Sequence, residues 1–278
     1  MIPKIIHYSW FSGEPFPESI SKYIEGWKKL LPDYEFVLWD AEKLSAVGNT
    51  FANEAVSVGK WAFAADFIRL YAVYNQGGIW LDTDIELHRD FDPFLHHRMF
   101  IGTEFRAHDV PKKRVLGSHC FGAEPGHPFL KDCLEYYEGR HFIGCQSERV
   151  PVHMRFDMTL LPIIQANIAI ENYGYDPHFG FPEHEQILSE DIHVYPSNYF
   201  DCPGYSSMKD VVCIHMRFGA WLSSDKPSFI PQNQIAIGKG PNYYLRSIKS
   251  SIDSFLVRRL KIAFTRNIRS KYVHDDVF

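Results

Sequence analysis

Gly77-Gly78-Ile79-Trp80-Leu81-Asp82-Thr83-Asp84-Ile85-Glu86 decides how this chain is read. A glycine pair opens the stretch, an apolar run follows, and carboxylates close it. As an extended segment it alternates its side chains, so Asp82, Asp84 and Glu86 share one face while Leu81, Thr83 and Ile85 share the other. Neighbouring carboxylates at the end of a buried strand repel each other, and a hard divalent cation with oxygen ligands relieves that repulsion. A nucleotide diphosphate would complete the cation's shell, because its oxygens chelate while the metal neutralises charge developing on the leaving group. Asp-x-Asp alone is a common solvated turn. Here Gly77-Gly78 permits close backbone approach, and Trp80 and Leu81 mark a buried segment where unpaired carboxylates are costly.

Upstream, Trp61 to Tyr74 is an apolar helical stretch stopped by Asn75-Gln76-Gly77-Gly78. Asp66 and Arg69 stand three apart and so lie on one face of it. Two readings of that pair stay open: an internal ion pair that orders the helix, and a pair that reads the hydroxyls of a bound sugar. Nearer the N-terminus, residues 4 to 10 read as a buried strand ending at Trp10. Ile20, Ile24, Trp27 and Leu31 form a helical stripe, and Glu35 to Trp39 form a second strand, giving β-α-β.

Downstream, helices are predicted from about Pro128 to Tyr137 and from about Leu161 to Asn172. Ile192 to Tyr195 is a short strand, and Val211 to His215 the last core strand. Alternating strands and helices predict an α/β fold with a Rossmann-like, mostly parallel central sheet flanked by helices, whose ligands gather beyond the carboxyl ends of its strands.

A chain of 278 residues, 45% hydrophobic and 15% aromatic, can bury one large core. The division expected is a main domain over residues 1–240 and a basic amphipathic helical extension over 241–278. The net charge of -5 gives no reason to expect nucleic acid as a partner. No basic leader with an apolar core opens the chain, and no run of about 18 apolar residues occurs, so a cytoplasmic enzyme is expected. Cys120, Cys133, Cys145, Cys202 and Cys213 are odd in number and form no Cys-x-x-Cys pair, so they suggest neither a disulfide framework nor a structural zinc site. Between Arg246 and Lys271, eight Lys or Arg face Asp253 alone. Residues 245–272 therefore read as a basic helix that either docks on the domain or contacts an anionic membrane leaflet.

Ile2-Pro3-Lys4-Ile5-Ile6-His7, the Asp66-x-x-Arg69 helix and the Gly77 to Glu86 block together resemble glycosyltransferase family 32, the "DXD sugar-binding" group, and more distantly the glucosyltransferase domains of clostridial toxins. The resemblance continues through Gly122 to Phe129 and Cys213 to Trp221. It implies a retaining GT-A glycosyltransferase that moves a hexose from a UDP- or GDP-sugar to a saccharide acceptor, lipid-linked in one version, during bacterial capsule or O-antigen assembly. By the same resemblance Asp82, Asp84 and His215 hold Mn2+ or Mg2+, Asp66 and Arg69 meet the donor sugar, Tyr8 and Trp10 belong to the donor site, and Trp221 closes over its phosphates. The place of His215 at the end of the last strand agrees, since imidazole ligates manganese.

The chain departs from that pattern at Arg217 and Ala220, where relatives carry an aromatic residue and a serine. Arg217 is then a catalytic candidate that brings positive charge to the leaving phosphate. Two other classes stay in view. A haloacid-dehalogenase-like phosphatase also uses Asp-x-Asp after an apolar strand, and a sugar-binding protein could keep the fold without the chemistry.

Overall fold

The computed structural model describes residues 1–104, 114–145, 147, 149, 152–178, 183–202 and 208–218. The opening β-α-β unit is β1 (Ile5–Ser9), α1 (Glu18–Leu30) and β2 (Glu35–Trp39), with β1 and β2 parallel. Ile20, Ile24 and Trp27 form the buried stripe of α1. Two short helices follow, α2 (Ala41–Val47) and α3 (Thr50–Ser57), each started by a side chain that accepts from a backbone N–H of its first turn, Asp40 from Lys43 and Asn49 from Ala52.

Helix α4 (Trp61–Gln76) buries ten of its sixteen residues, Asp66 and Arg69 among them, so its charged groups must find partners inside the protein. It ends at Gly77, and β3 (Gly78–Leu81) is buried throughout. Gly78 sits at φ +99°, and a Cβ there would lie 2.6 Å from the Ile5 carbonyl oxygen. Gly78 therefore serves close packing of β3 on β1, while a Cβ on Gly77 would meet Pro125 and Pro3.

The remaining elements are β4 (Ile85–Leu87), β5 (Met99–Thr103), β6 (Leu116–Ala123), α5 (Pro128–Glu135), α6 (Val152–Arg155) and α7 (Leu161–Ile168), which runs into a π-helical turn at Ala169–Tyr173. They continue as β7 (Gln186–Leu188), β8 (Ile192–Tyr195), α8 (Ser197–Phe200) and β9 (Cys213–His215). The main sheet has the order β2-β1-β3-β6-β5-β8-β7, and β4 and β9 form a separate two-stranded sheet. β6 and β7 run against their neighbours, so five of the seven strands point the same way. The pleat divides the core. Trp80, Met99, Ile101 and Phe121 face one hydrophobic cluster with α4, α5 and α7, while Ile79, Leu81 and Phe100 face another with α1.

The mixed α/β layering expected from the sequence, with a mostly parallel sheet between helices, is what the chain adopts. Two local expectations are corrected. The strand read through Ile85 stops at Leu81, because the chain turns at Asp82-Thr83-Asp84, and Glu86 is carried onto β4 beside His88. The last strand lies outside the main sheet, because after that turn β4 offers it an antiparallel partner, with Ile85 opposite His215. Trp221 and the expected basic extension over 241–278, with its tract at 245–272, lie outside the described residues. Among the described residues no helix is long and apolar enough to cross a membrane.

Candidate functional site

The turn after β3 forms because the Ile85 N–H bonds to the Asp82 carbonyl at 3.1 Å, which reverses the chain and presents both Asp side chains at the carboxyl edge of the sheet. Trp27 of α1 holds the far side of this turn, its Nε1–H donating to the Ile85 carbonyl at 2.9 Å. On the near side β9 delivers His215, whose Nε2 lies 3.4 Å from Asp84 Oδ1. The Phe218 N–H donates to Asp84 Oδ2 at 2.9 Å.

Asp82 is held differently. The Trp80 Nε1–H donates to its Oδ1 at 2.7 Å, and Arg69 Nη1 lies 3.2 Å from the same oxygen. That guanidinium also pairs with Asp66 Oδ1 at 3.2 Å and donates to the Ser118 carbonyl at 2.6 Å and the Ala65 carbonyl at 3.1 Å. The ion pair read as one alternative in α4 is thus formed, and it extends to the first Asp of the motif.

The charges follow from these contacts. Burial pushes the Asp66 carboxyl up to about 7, against the pull of Arg69. Burial also raises Asp82, again opposed by Arg69 and reinforced by the Asp84 charge. Asp84 goes the other way: burial works upward, but His215 and the Phe218 N–H outweigh it and take the carboxyl to about 2. His215 is the reciprocal case, lowered by burial but carried to about 9 by Asp84. One carboxylate therefore stays ionised against a neighbouring cation while a second, close by, resists ionisation.

Oxygens of Asp82 and Asp84 and a ring nitrogen of His215 all lie within 4.8 Å of one another. Two carboxylates and an imidazole suit a divalent ion such as Mn2+. The charge on His215 supports the fit, since the proton it carries beside Asp84 does in part what a cation would do. Of the residues expected here, the fold brings Asp66, Arg69, Asp82, Asp84 and His215 together. Arg217 lies behind them, at φ +54°, pairing with Asp201 Oδ2 at 2.5 Å with its side chain 45% exposed. Trp10 stands at the carboxyl end of β1 with its Nε1–H donating to the Glu14 carbonyl. Tyr8 is buried edge-on against Trp27.

Three site residues escaped the sequence reading. His119 stacks on His215 at 4.2 Å, and burial together with that neighbour lowers it to about 3, so it stays neutral. Asp201, fully buried, lies 3.7 Å from His215 Nδ1. Ser118 anchors Arg69. A signal existed for two of them, since Ser118 and His119 are polar positions in the otherwise apolar, glycine-containing run from Leu116 to Ala123.

Residues 17–101, which include the α4 pair and the whole Asp82 turn, match the family model described as "Glycosyltransferase sugar-binding region containing DXD motif". This region is a glycosyltransferase sugar-binding region of the DXD type. It bears out the resemblance to glycosyltransferase family 32 and speaks for that class over a phosphatase. Among curated proteins the chain is 32% identical over 136 residues to inositol phosphoceramide mannosyltransferase 3 of Schizosaccharomyces pombe, covering 46% of this chain and 35% of that protein. It is 30% identical over 159 residues to mannosyl phosphorylinositol ceramide synthase SUR1 of Saccharomyces cerevisiae, covering 51% and 37%. The chain thus spans little more than a third of the length of these two relatives. Among solved structures, PaToxG glycosyltransferase is similar with a TM-score of 0.44 at 16% identity, covering 61% of this chain and 69% of that one. A glycosyltransferase involved in glycosylation of the PBCV-1 major capsid gives 0.43 at 12%, covering 81% and 98%.

Proposed function

We propose that this chain is a hexosyltransferase that takes its sugar from a UDP- or GDP-linked donor and passes it to a saccharide acceptor, using Mn2+ or Mg2+ held by Asp82, Asp84 and His215. The convergence of those three groups at the carboxyl edge of the sheet carries the reading. When bound, the ion would neutralise the diphosphate as the glycosidic bond breaks. Arg69 fixes the Asp82 carboxylate, and with Asp66 borders the donor sugar. Asp201 faces the ring nitrogen of His215 that points away from Asp84, so it orients that imidazole. Arg217 adds positive charge where the diphosphate leaves, Tyr8 and Trp10 border the donor's base, and Trp221 closes the site. Retention of the anomeric configuration follows the family resemblance.

For the acceptor, the setting we favour is bacterial surface polysaccharide assembly on the cytoplasmic face of a membrane, with residues 245–272 as the membrane contact. The names of the curated relatives favour a second reading, mannosyl transfer to an inositol phosphoceramide. Incubation with a panel of UDP- and GDP-sugars and Mn2+, with and without chelator, tests the common core of both. Free nucleotide should appear with at least one donor and vanish with chelator. Donor binding without release would leave a sugar-binding protein, and release unaffected by chelator would remove the metal. GDP-mannose as the sole productive donor, with transfer to an inositol lipid, would select the second acceptor.

A further inference from the structure

A second convergence of metal-ligating side chains lies far from Asp82. β5 and β8 run in the same direction as β3, and this cluster sits where they begin, whereas Asp82 sits where β3 ends. The two groups therefore occupy opposite edges of the sheet. His97 precedes β5, Asp191 and His193 bracket the start of β8, and Glu185 leads into β7. His97 and His193 are 6% and 9% exposed. Their rings stack at 3.5 Å, and donor atoms of His97, Asp191 and His193 all lie within 4.8 Å of one another.

Each of the three has an outer partner that fixes its orientation. His97 Nε2 meets the Tyr195 hydroxyl at 2.9 Å, His193 Nδ1 meets Glu185 Oε1 at 2.6 Å, and the Arg98 N–H donates to Asp191 Oδ2 at 2.8 Å. Metal-ligating histidines typically have this arrangement, one ring nitrogen on a carboxylate or other polar group and the other free for the ion. With Nδ1 on Glu185, His193 turns Nε2 toward Asp191 Oδ1 at 3.1 Å, so an imidazole nitrogen and a carboxylate oxygen stand side by side where an ion would be held. Glu190 and Asp191 both adopt left-handed backbone, at φ 58° and 54°, an uncommon cost for consecutive non-glycine residues.

We propose that His97, Asp191 and His193 form a structural site for a divalent transition-metal ion of the Zn2+ type, which ties the starts of β5 and β8 together. Two imidazoles and one carboxylate are donors for such an ion, whereas Mg2+ takes oxygen. The competing account is a His193 held by hydrogen bonds between Glu185 and Asp191 with no ion.

The test uses the full chain, stripped with chelator, dialysed against ZnCl2 in excess Mg2+, and assayed by elemental analysis and thermal unfolding. Carrying Asp82→Asn and Asp84→Asn to disable the first site, the protein should retain a Zn2+ equivalent and melt higher with it. Adding His97→Gln and His193→Gln should weaken that binding by more than about a hundredfold, and Glu185→Gln alone by about ten- to a hundredfold. Equal Zn2+ affinity with and without the two imidazoles overturns the site, as does a folded Asp82→Asn/Asp84→Asn protein that binds no Zn2+. Should that background fail to fold, the comparison moves to the parent sequence. There the two glutamines must remove one bound Zn2+, and an unchanged stoichiometry refutes the proposal.

Discussion

Arg69→Met isolates the contribution of the guanidinium that joins α4 to the DXD turn. Methionine approximates the length of the side chain but removes its charge, leaving the buried Asp66 and Asp82 without their shared partner and the Ser118 carbonyl without the guanidinium donor. Removing one member of a buried ion pair costs about 3–5 kcal/mol. For a domain of this size that corresponds to a fall in Tm of roughly 6–20 °C. The loss should depend on pH with a definite sign. Asp66 titrates near 7 in the folded chain against an ordinary carboxyl value of 3.8, so between those values the native state holds a proton that the unfolded state has released. Stability contributed by this group therefore falls as pH rises through that window. Without Arg69 its folded pKa climbs further, and the variant keeps losing about 1.4 kcal/mol for each additional pH unit over which Asp66 stays protonated. Thermal unfolding followed by circular dichroism at pH 5 and pH 8 should show the larger deficit at pH 8. A deficit below about 3 °C at pH 8, less than a 1 kcal/mol effect at this size, or one that is larger at pH 5, would refute the reasoning.

Asp84→Asn should lower Mn2+ affinity, read from the spin resonance of the free ion, by at least about tenfold and abolish chelator-sensitive donor cleavage; full-speed cleavage would remove Asp84 from the site. Arg217→Ala should reduce turnover far more than metal affinity, and unchanged turnover would exclude it from the chemistry. Gly78→Ala places a Cβ against the Ile5 carbonyl at a left-handed φ, so urea unfolding should show a loss of about 1–3 kcal/mol or more, and an unshifted midpoint would contradict the packing argument. Truncation after residue 245 should leave donor hydrolysis intact while abolishing flotation with anionic liposomes; equal flotation would end the membrane role of that tract.

Much of the sheet's first half was legible because its signals are local. The α1 stripe, the apolar α4 with its internal pair and the glycine-led β3 each announce themselves within about a dozen residues. β5 and β6 were not read. Met99 to Thr103 is a short apolar run without alternation, and β6 mixes Gly117, Ser118, His119 and Gly122 into a strand buried on both faces. A last strand in the main sheet is the sequence's reason for bringing His215 near the acidic pair. His215 arrives there by pairing with β4 instead.

The order of residues alone determined that two carboxylates would follow a buried strand and that a charged pair would sit inside an apolar helix, because burial and backbone period are encoded by neighbours in the chain. Tertiary structure alone decided that Arg69 would bridge that pair to Asp82, that His119 and Asp201 would stand behind His215, and that His97 would stack on His193. Those groups meet across loops and strand pairings, as when the Phe218 N–H reaches Asp84 over a separation of 134 residues. Such encounters depend on how the whole sheet is assembled, which a local pattern does not encode.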